Sequence, residues 1–151
     1  MVYLVETYRK EDDPLFPKDT QKRALINQRL LFDLGTLYPA FIDQYDFLFT
    51  FGHAKRTNYK EKKLHKALGV LETFLTSSDW VAGDSMTLAD ISLVASISAF
   101  EVSRVDLNMY EKVSKCLKMC KTTMVGYEEI NEVGAERLKE FVDKRFAETD
   151  S

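Results

Sequence analysis

The chain has 151 residues, 45% of them hydrophobic and 12% aromatic, and its formal net charge is −3 at pH 7. These values fit one compact domain with an apolar core and exclude an intrinsically disordered chain. Binding to nucleic-acid phosphates needs clustered Lys and Arg, whereas both signs of charge alternate along this chain. We therefore expect no nucleic acid among its partners.

The first third of the chain contains a linker followed by a long helix. Residues 11–19 are polar and include two prolines, which is typical of a linker, and Asp19 or Thr20 can cap the helix that follows. Apolar side chains three and four residues apart predict one helical stripe, formed by Ile26, Leu30, Leu34, Leu37, Phe41 and Tyr45. Pro39 lies inside this helix and predicts a kink there, because it lacks a backbone donor and clashes with the preceding turn.

Four further helices are predicted in the rest of the chain. The second covers about residues 59–77, the third begins near Thr87, and the fourth covers about residues 108–122. The last begins near Glu128 and Glu129 and includes residues 133–146. Strict alternation of apolar and polar residues, the pattern of a half-buried strand, does not occur. The predicted fold class is therefore all-α.

Thr87 and Asp90 stand three positions apart at the predicted start of the third helix, a spacing typical of a capping box. In that arrangement the Thr87 side chain accepts from the backbone N–H of Asp90, and the Asp90 carboxylate accepts from the N–H of Thr87. Met86 and Ile91 flank the pair and can close a hydrophobic staple. We interpret the pair as a structural cap, because acid–base catalysis by Asp90 would need a second group with a shifted pKa.

Two histidines and two cysteines are the other candidate reactive side chains. His53 and His65 have no Cys or carboxylate partners at ligand spacing, so we expect no metal site. Cys116 and Cys120 share one face of a predicted helix, either as a reactive pair or, as we prefer, as free thiols in a reducing compartment. Neither a signal peptide nor a stretch of about 20 apolar residues is found, so we expect a cytoplasmic protein without a membrane partner.

A resemblance to a known family is carried by residues 80–91, whose sequence is WVAGDSMTLADI. This segment resembles the C-terminal domain of cytosolic glutathione transferases, which elongation-factor subunits and chloride-channel-like proteins also contain. Residues 27–38 (NQRLLFDLGTLY) resemble the delta class of insect transferases, and residues 3–8 and 126–129 continue the likeness. The resemblance implies the helical bundle of a glutathione-transferase C-terminal domain.

The resemblance also implies a division of the chain. Residues 1–10 correspond to the last helix of a thioredoxin-like domain, residues 11–19 to the linker, and residues 20–151 to the helical C-terminal domain. In the family, the thioredoxin-like domain binds glutathione and stabilises its thiolate, so we expect no catalytic residue and no cofactor bound by this chain alone. Without that domain, residues 2–8 are expected either to fray or to lie across the helical bundle.

The function implied is conjugation of glutathione, the family's co-substrate, to small hydrophobic electrophiles in detoxification. The residues that correspond to the hydrophobic substrate wall are Leu34, Tyr38, Phe41, Tyr45, Leu138 and Phe141, and the family's full-length members are homodimers. Ordinary core residues are the alternative for each of the six. For the chain as a whole, a non-catalytic module that binds a hydrophobic ligand or partner is the alternative, and a structural domain of a translation or signalling assembly is a weaker one.

Overall fold

The computed structural model describes residues 1–49 and 57–149, and its elements are helices. The α-helices are α1 (Val2–Tyr8), α2 (Thr20–Phe32), α3 (Tyr38–Phe49), α4 (Asn58–Phe74), α5 (Leu88–Val102), α6 (Glu111–Thr123) and α7 (Val133–Thr149). Two π-helical turns, Asp33–Leu37 and Tyr127–Glu132, precede α3 and α7. Within the described ranges no strand occurs, and one isolated bridge joins Trp80 and Gly83. The predicted all-α class is confirmed. His53, for which no metal-binding role was expected, lies outside the described residues.

The long helix predicted in the first third of the chain is interrupted just before Pro39. Helix α2 is capped by Asp19, whose side chain accepts from the backbone N–H of Lys22, and it continues through the turn Asp33–Leu37 into α3. Within that turn the Tyr38 N–H bonds to the Asp33 carbonyl five residues back, instead of four. Because Pro39 cannot donate to the preceding turn, the irregularity lies in that turn, and the α-helix resumes at Tyr38.

The π-helical turn changes which side chains face the core. Ile26, Leu37 and Phe41 are buried as the stripe predicts, but Leu34 is 74% exposed and the neighbouring Asp33 is buried. A π-helical turn contains one extra residue, so a stripe drawn with a constant helical period does not continue unchanged through it. The alternative interpretation of Leu34 as an ordinary core residue is therefore not supported, and its place in the substrate wall stays a prediction.

Helix α5 is the central element of the bundle. It contacts α2, α6 and α7 as well as both π-helical turns. A helix that is buried on most sides reads as apolar all round, and α5 fits this description. The core is formed by almost fully buried side chains of α5 and of other helices: Leu68 and Leu71 of α4, Ile97 and Phe100 of α5, Val113 of α6 and Val142 of α7.

The capping box at the start of α5 extends beyond the helix terminus. Asp90 Oδ2 accepts from the Thr87 backbone N–H at 2.8 Å and from its hydroxyl at 2.9 Å, and the Thr87 side chain accepts from the helix's first turn. In addition, Asp90 Oδ1 accepts from the Val81 N–H at 2.8 Å. Burial raises the pKa of Asp90 above its ordinary value, and these hydrogen bonds oppose that rise only in part. One carboxylate therefore joins the loop after α4 to the central helix.

One side of helix α1 contacts the rest of the domain. Val5 is buried in the core, and Glu6 forms an ion pair with Arg23 of α2 at 2.8 Å. Tyr3, Leu4 and Tyr8 point to the other side and are exposed. Of the two outcomes expected for this segment, the structure shows the docked one.

The network around Asp90 leads to a prediction about stability. Thr87→Ala is expected to lower the free energy of unfolding by about 1–2 kcal/mol, the usual cost of a lost N-cap. Asp90→Ala is expected to lower it by about 2–6 kcal/mol, because two buried backbone donors lose their acceptor at about 1–3 kcal/mol each. Urea unfolding followed by circular dichroism measures both changes.

The matched control for charge is Asp90→Asn, which keeps the shape of the side chain but replaces one acceptor oxygen by a donor group. It is expected to be destabilising although it removes a buried charge, because one of the N–H groups of Val81 and Thr87 then faces an NH₂ group. Unchanged unfolding midpoints for Asp90→Asn and Asp90→Ala would contradict the role assigned to this carboxylate.

Candidate functional site

The structure divides the six predicted substrate-wall residues into an exposed and a buried group. Tyr38 and Phe141 are 41% and 43% exposed, Leu34 is more exposed still, and Leu138 is half-buried. Phe41 and Tyr45 are buried in the core instead. A role in substrate binding stays a prediction for all six, but Leu34, Tyr38 and Phe141 are the ones whose side chains are exposed in this conformation.

The buried aromatic residues form a stack beneath Tyr38. The ring of Phe41 lies 6.2 Å from that of Tyr38, 5.0 Å from that of Tyr45 and 4.5 Å from that of Phe100 in α5, measured between centroids. These distances are typical of favourable aromatic pairs. Tyr38 is thus the surface end of this aromatic stack, and the packed rings beneath it restrict the orientations of its own ring.

Helix α7 contributes the other exposed aromatic residue. It packs against α3 and α5, with Val142 fully buried and Leu138 and Phe146 half-buried against the core. Phe141 precedes Val142 and lies at the surface. Two helices in contact, α3 and α7, therefore each present an exposed aromatic side chain.

Asp33 is a buried carboxylate that the sequence analysis did not single out. It is 4% exposed, and its two oxygens accept hydrogen bonds from the hydroxyls of Ser92, at 2.6 Å, and Ser96, at 2.8 Å. These contacts join the turn that precedes Tyr38 to the central helix α5. A signal was present in the sequence, because two serines four residues apart share one face of an apolar helix and need a polar partner there.

The two cysteines face the core. Cys116 and Cys120 are free and buried, and they border an internal cavity of about 10 Å³ together with apolar side chains. A hydrogen bond with the Cys120 thiol, together with burial, raises the pKa of Cys116 above its ordinary value. Since the thiolate is the reactive form, this environment favours inert structural thiols over a reactive pair.

His65 takes part in a local hydrogen bond. Its Nδ1 lies 2.7 Å from the hydroxyl of Tyr110, and its Nε2 lies 4.0 Å from a carboxylate oxygen of Glu61. Across residues 1–49 and 57–149, no three or more His, Cys, Asp or Glu side chains are grouped as a metal ion would require. Likewise, none of the helices in these ranges is long and apolar enough to span a bilayer.

Comparison with known proteins identifies the domain. The family profile of the glutathione S-transferase C-terminal domain matches residues 44–145. Among solved structures, a delta-class glutathione transferase of Nilaparvata lugens is 43% identical over 95% of this chain, with a TM-score of 0.89. A glutathione transferase of Bombyx mori is 39% identical over 93% of the chain, with a TM-score of 0.85.

The comparisons also support the class and give the extent of the match. An epsilon-class transferase of Musca domestica is 33% identical over 95% of the chain, with a TM-score of 0.84. The delta-class transferase of Nilaparvata lugens, at 43%, is more similar in sequence. The chain spans about two thirds of the length of these relatives, between 64% and 67%. The predicted resemblance to the C-terminal domain of delta-class transferases is confirmed.

The contacts of Asp33 predict a difference between two adjacent residues. Asp33→Ala is expected to lower the free energy of unfolding by about 1–3 kcal/mol, because it leaves two serine hydroxyls near the core without their acceptor. Leu34→Ala, one residue further on and largely exposed, is expected to change it by less than about 0.5 kcal/mol. Thermal melts of the two variants test this, and equal midpoints would contradict the structural role of Asp33.

The burial of the cysteines predicts that they do not react in the folded protein. With Ellman's reagent at neutral pH, we expect no labelling of Cys116 or Cys120 in native conditions and labelling of both in denaturant. The reason is that burial and the mutual hydrogen bond disfavour the thiolate. Rapid native labelling of Cys116 would instead indicate a reactive thiol.

Proposed function

This chain belongs to the glutathione S-transferase family, and we propose that it provides the hydrophobic-substrate domain of an enzyme that conjugates glutathione to hydrophobic electrophiles. The observation that carries the proposal is the surface of the two contacting helices α3 and α7. Tyr38 and Phe141 are exposed on these helices, and Leu34 lies four residues before Tyr38. Ligand sites are mostly apolar, and these aromatic side chains, supported by a packed core, offer apolar contact area to a ligand.

The proposed contribution of this domain is binding and orientation of the electrophile. In conjugation, the glutathione thiolate attacks the electrophilic carbon and the leaving group departs with its electron pair. In the family, thiolate stabilisation belongs to the thioredoxin-like domain, so none of the residues in this chain is assigned a catalytic role. Holding the electrophile against Tyr38 and Phe141 raises its effective concentration near the bound thiolate.

A wider assignment follows from the family. We propose that the protein acts in the cytoplasm, takes glutathione as its co-substrate, and forms a homodimer in its full-length form. The second candidate function is binding of a hydrophobic ligand or partner without catalysis. It is supported by the same apolar surface. The two cysteines are buried, so they are not placed to activate the thiol of glutathione.

The ligand surface is tested by binding of a hydrophobic anionic dye, anilinonaphthalene sulfonate, followed by fluorescence. Tyr38→Ala and Phe141→Ala are each expected to weaken binding roughly fivefold, since the loss of an aromatic contact costs about 1 kcal/mol. The matched control is Tyr59→Ala in α4, because Tyr59 is 78% exposed and lies outside the proposed surface. Equal affinity in the unchanged chain and in all three variants would contradict the assignment.

A conjugation assay separates the two candidate functions. The chain alone is expected to bind the dye but to show no conjugation of glutathione to chlorodinitrobenzene above background. The same chain, fused behind the thioredoxin-like domain of a delta-class relative, is expected to conjugate, and Tyr38→Ala is expected to raise KM more than it lowers kcat. A folded, dye-binding fusion without activity would favour the non-catalytic module.

A further inference from the structure

The turn that ends α5 has an unusual residue at its most restricted position. The backbone N–H of Val105 bonds to the Phe100 carbonyl at 3.0 Å, and the N–H of Arg104 bonds to the Glu101 carbonyl at 3.1 Å. This pair of bonds defines a Schellman motif, in which the residue after the C-cap adopts a left-handed conformation. That residue is Arg104, with φ of 65°.

An arginine is unfavourable at this position for the backbone. Glycine is the usual residue there, because a left-handed conformation brings Cβ close to the following carbonyl oxygen in other residues. Such strain persists only where the surrounding structure compensates for it. The contacts of the Arg104 side chain therefore supply the compensation.

Those contacts are with α7. The guanidinium of Arg104 donates to Asp143 Oδ1 at 2.7 Å, and its Cζ lies 4.3 Å from the centre of the Phe146 ring. Asp143 and Phe146 are three residues apart and so share one face of the helix. Arg104 thus contacts α7 through an ion pair and a cation–π interaction at the same time.

The contact lies two residues along α7 from Phe141, a residue of the proposed ligand surface. Asp143 follows Val142, the fully buried residue that anchors α7 in the core, and Phe141 precedes Val142. Fixing Asp143 and Phe146 therefore restricts the rotation of α7 about Val142, and with it the direction in which Phe141 points. Leu138 lies on the same helix, one turn earlier.

We propose that Arg104 is a positioning residue, which holds α7 so that Phe141 and Leu138 face the hydrophobic ligand. The inference rests on the proposed function of that surface. Arg104 acts through α7 and does not itself touch the ligand. Since the ion pair with Asp143 is about half exposed, salt screens it, and part of the ligand affinity is lost as the ionic strength rises.

The deciding variant is Arg104→Gly in the full chain, because it removes the side chain and the backbone strain together. Its thermal midpoint is expected to equal or exceed that of the unchanged chain. Amide hydrogen exchange of residues 138–146 is nevertheless expected to become faster, and affinity for anilinonaphthalene sulfonate to fall roughly fivefold. Arg104→Lys, which keeps the charge without the planar group, is expected to recover part of the affinity.

The matched control is Lys115→Gln, which removes an exposed ion pair with Asp79 elsewhere in the chain. It is expected to leave α7 exchange and dye affinity unchanged. Unchanged exchange of α7 in Arg104→Gly would overturn the proposal, whatever the binding result. Faster exchange with unchanged dye affinity would also overturn it, since α7 would then be held without consequence for the ligand.

The two proposals fail in distinguishable ways. Failure of the proposed function appears in the chain without the Arg104 substitution, as dye binding that does not depend on Tyr38 or Phe141. Failure of the positioning role appears as the loss of any difference between Arg104→Gly and that chain, while Tyr38→Ala still weakens binding.

Discussion

The fold depends on one buried carboxylate, that of Asp90. Its oxygens accept from the backbone of Val81 and from the backbone and hydroxyl of Thr87, so the loop after α4 is tied to the start of the central helix. Each buried donor left unpaired would cost about 1–3 kcal/mol, against a total stability of about 5–15 kcal/mol for a typical domain. Because α2, α6 and α7 all pack on α5, a displaced α5 would disturb the packing of all three.

Local signals in the sequence were sufficient for much of this architecture. Helical periodicity predicted the class, and the spacing of Thr87 and Asp90 predicted the cap, because both patterns lie within a few residues. The contact of Asp33 with Ser92 and Ser96 joins residues 59 and 63 positions apart, and no local pattern specifies such a pairing. The π-helical turn then exposed Leu34, which a constant period places in the core.

The candidate site shows the same division. The family resemblance brought six residues together, but a sequence pattern cannot distinguish an aromatic residue that contacts a ligand from one that supports it. The structure makes this distinction through burial: Phe41 and Tyr45 lie in the core, whereas Tyr38 and Phe141 lie at the surface. Arg104 was not identifiable from sequence, because the role proposed for it depends on a left-handed backbone and on a distant helix. A packed core thus supports the exposed aromatic residues of α3 and α7.

Binding of a hydrophobic ligand by the exposed residues of α3 and α7 can be observed residue by residue when the bound dye is mapped by NMR. Anilinonaphthalene sulfonate would be titrated into isotope-labelled chain while the backbone amide shifts are followed. If these residues bind the ligand, the largest shift changes occur in two segments, residues 34–41 and residues 138–145, with one common dissociation constant. Largest changes around His65 and Tyr110, with none in those two segments, would contradict this assignment.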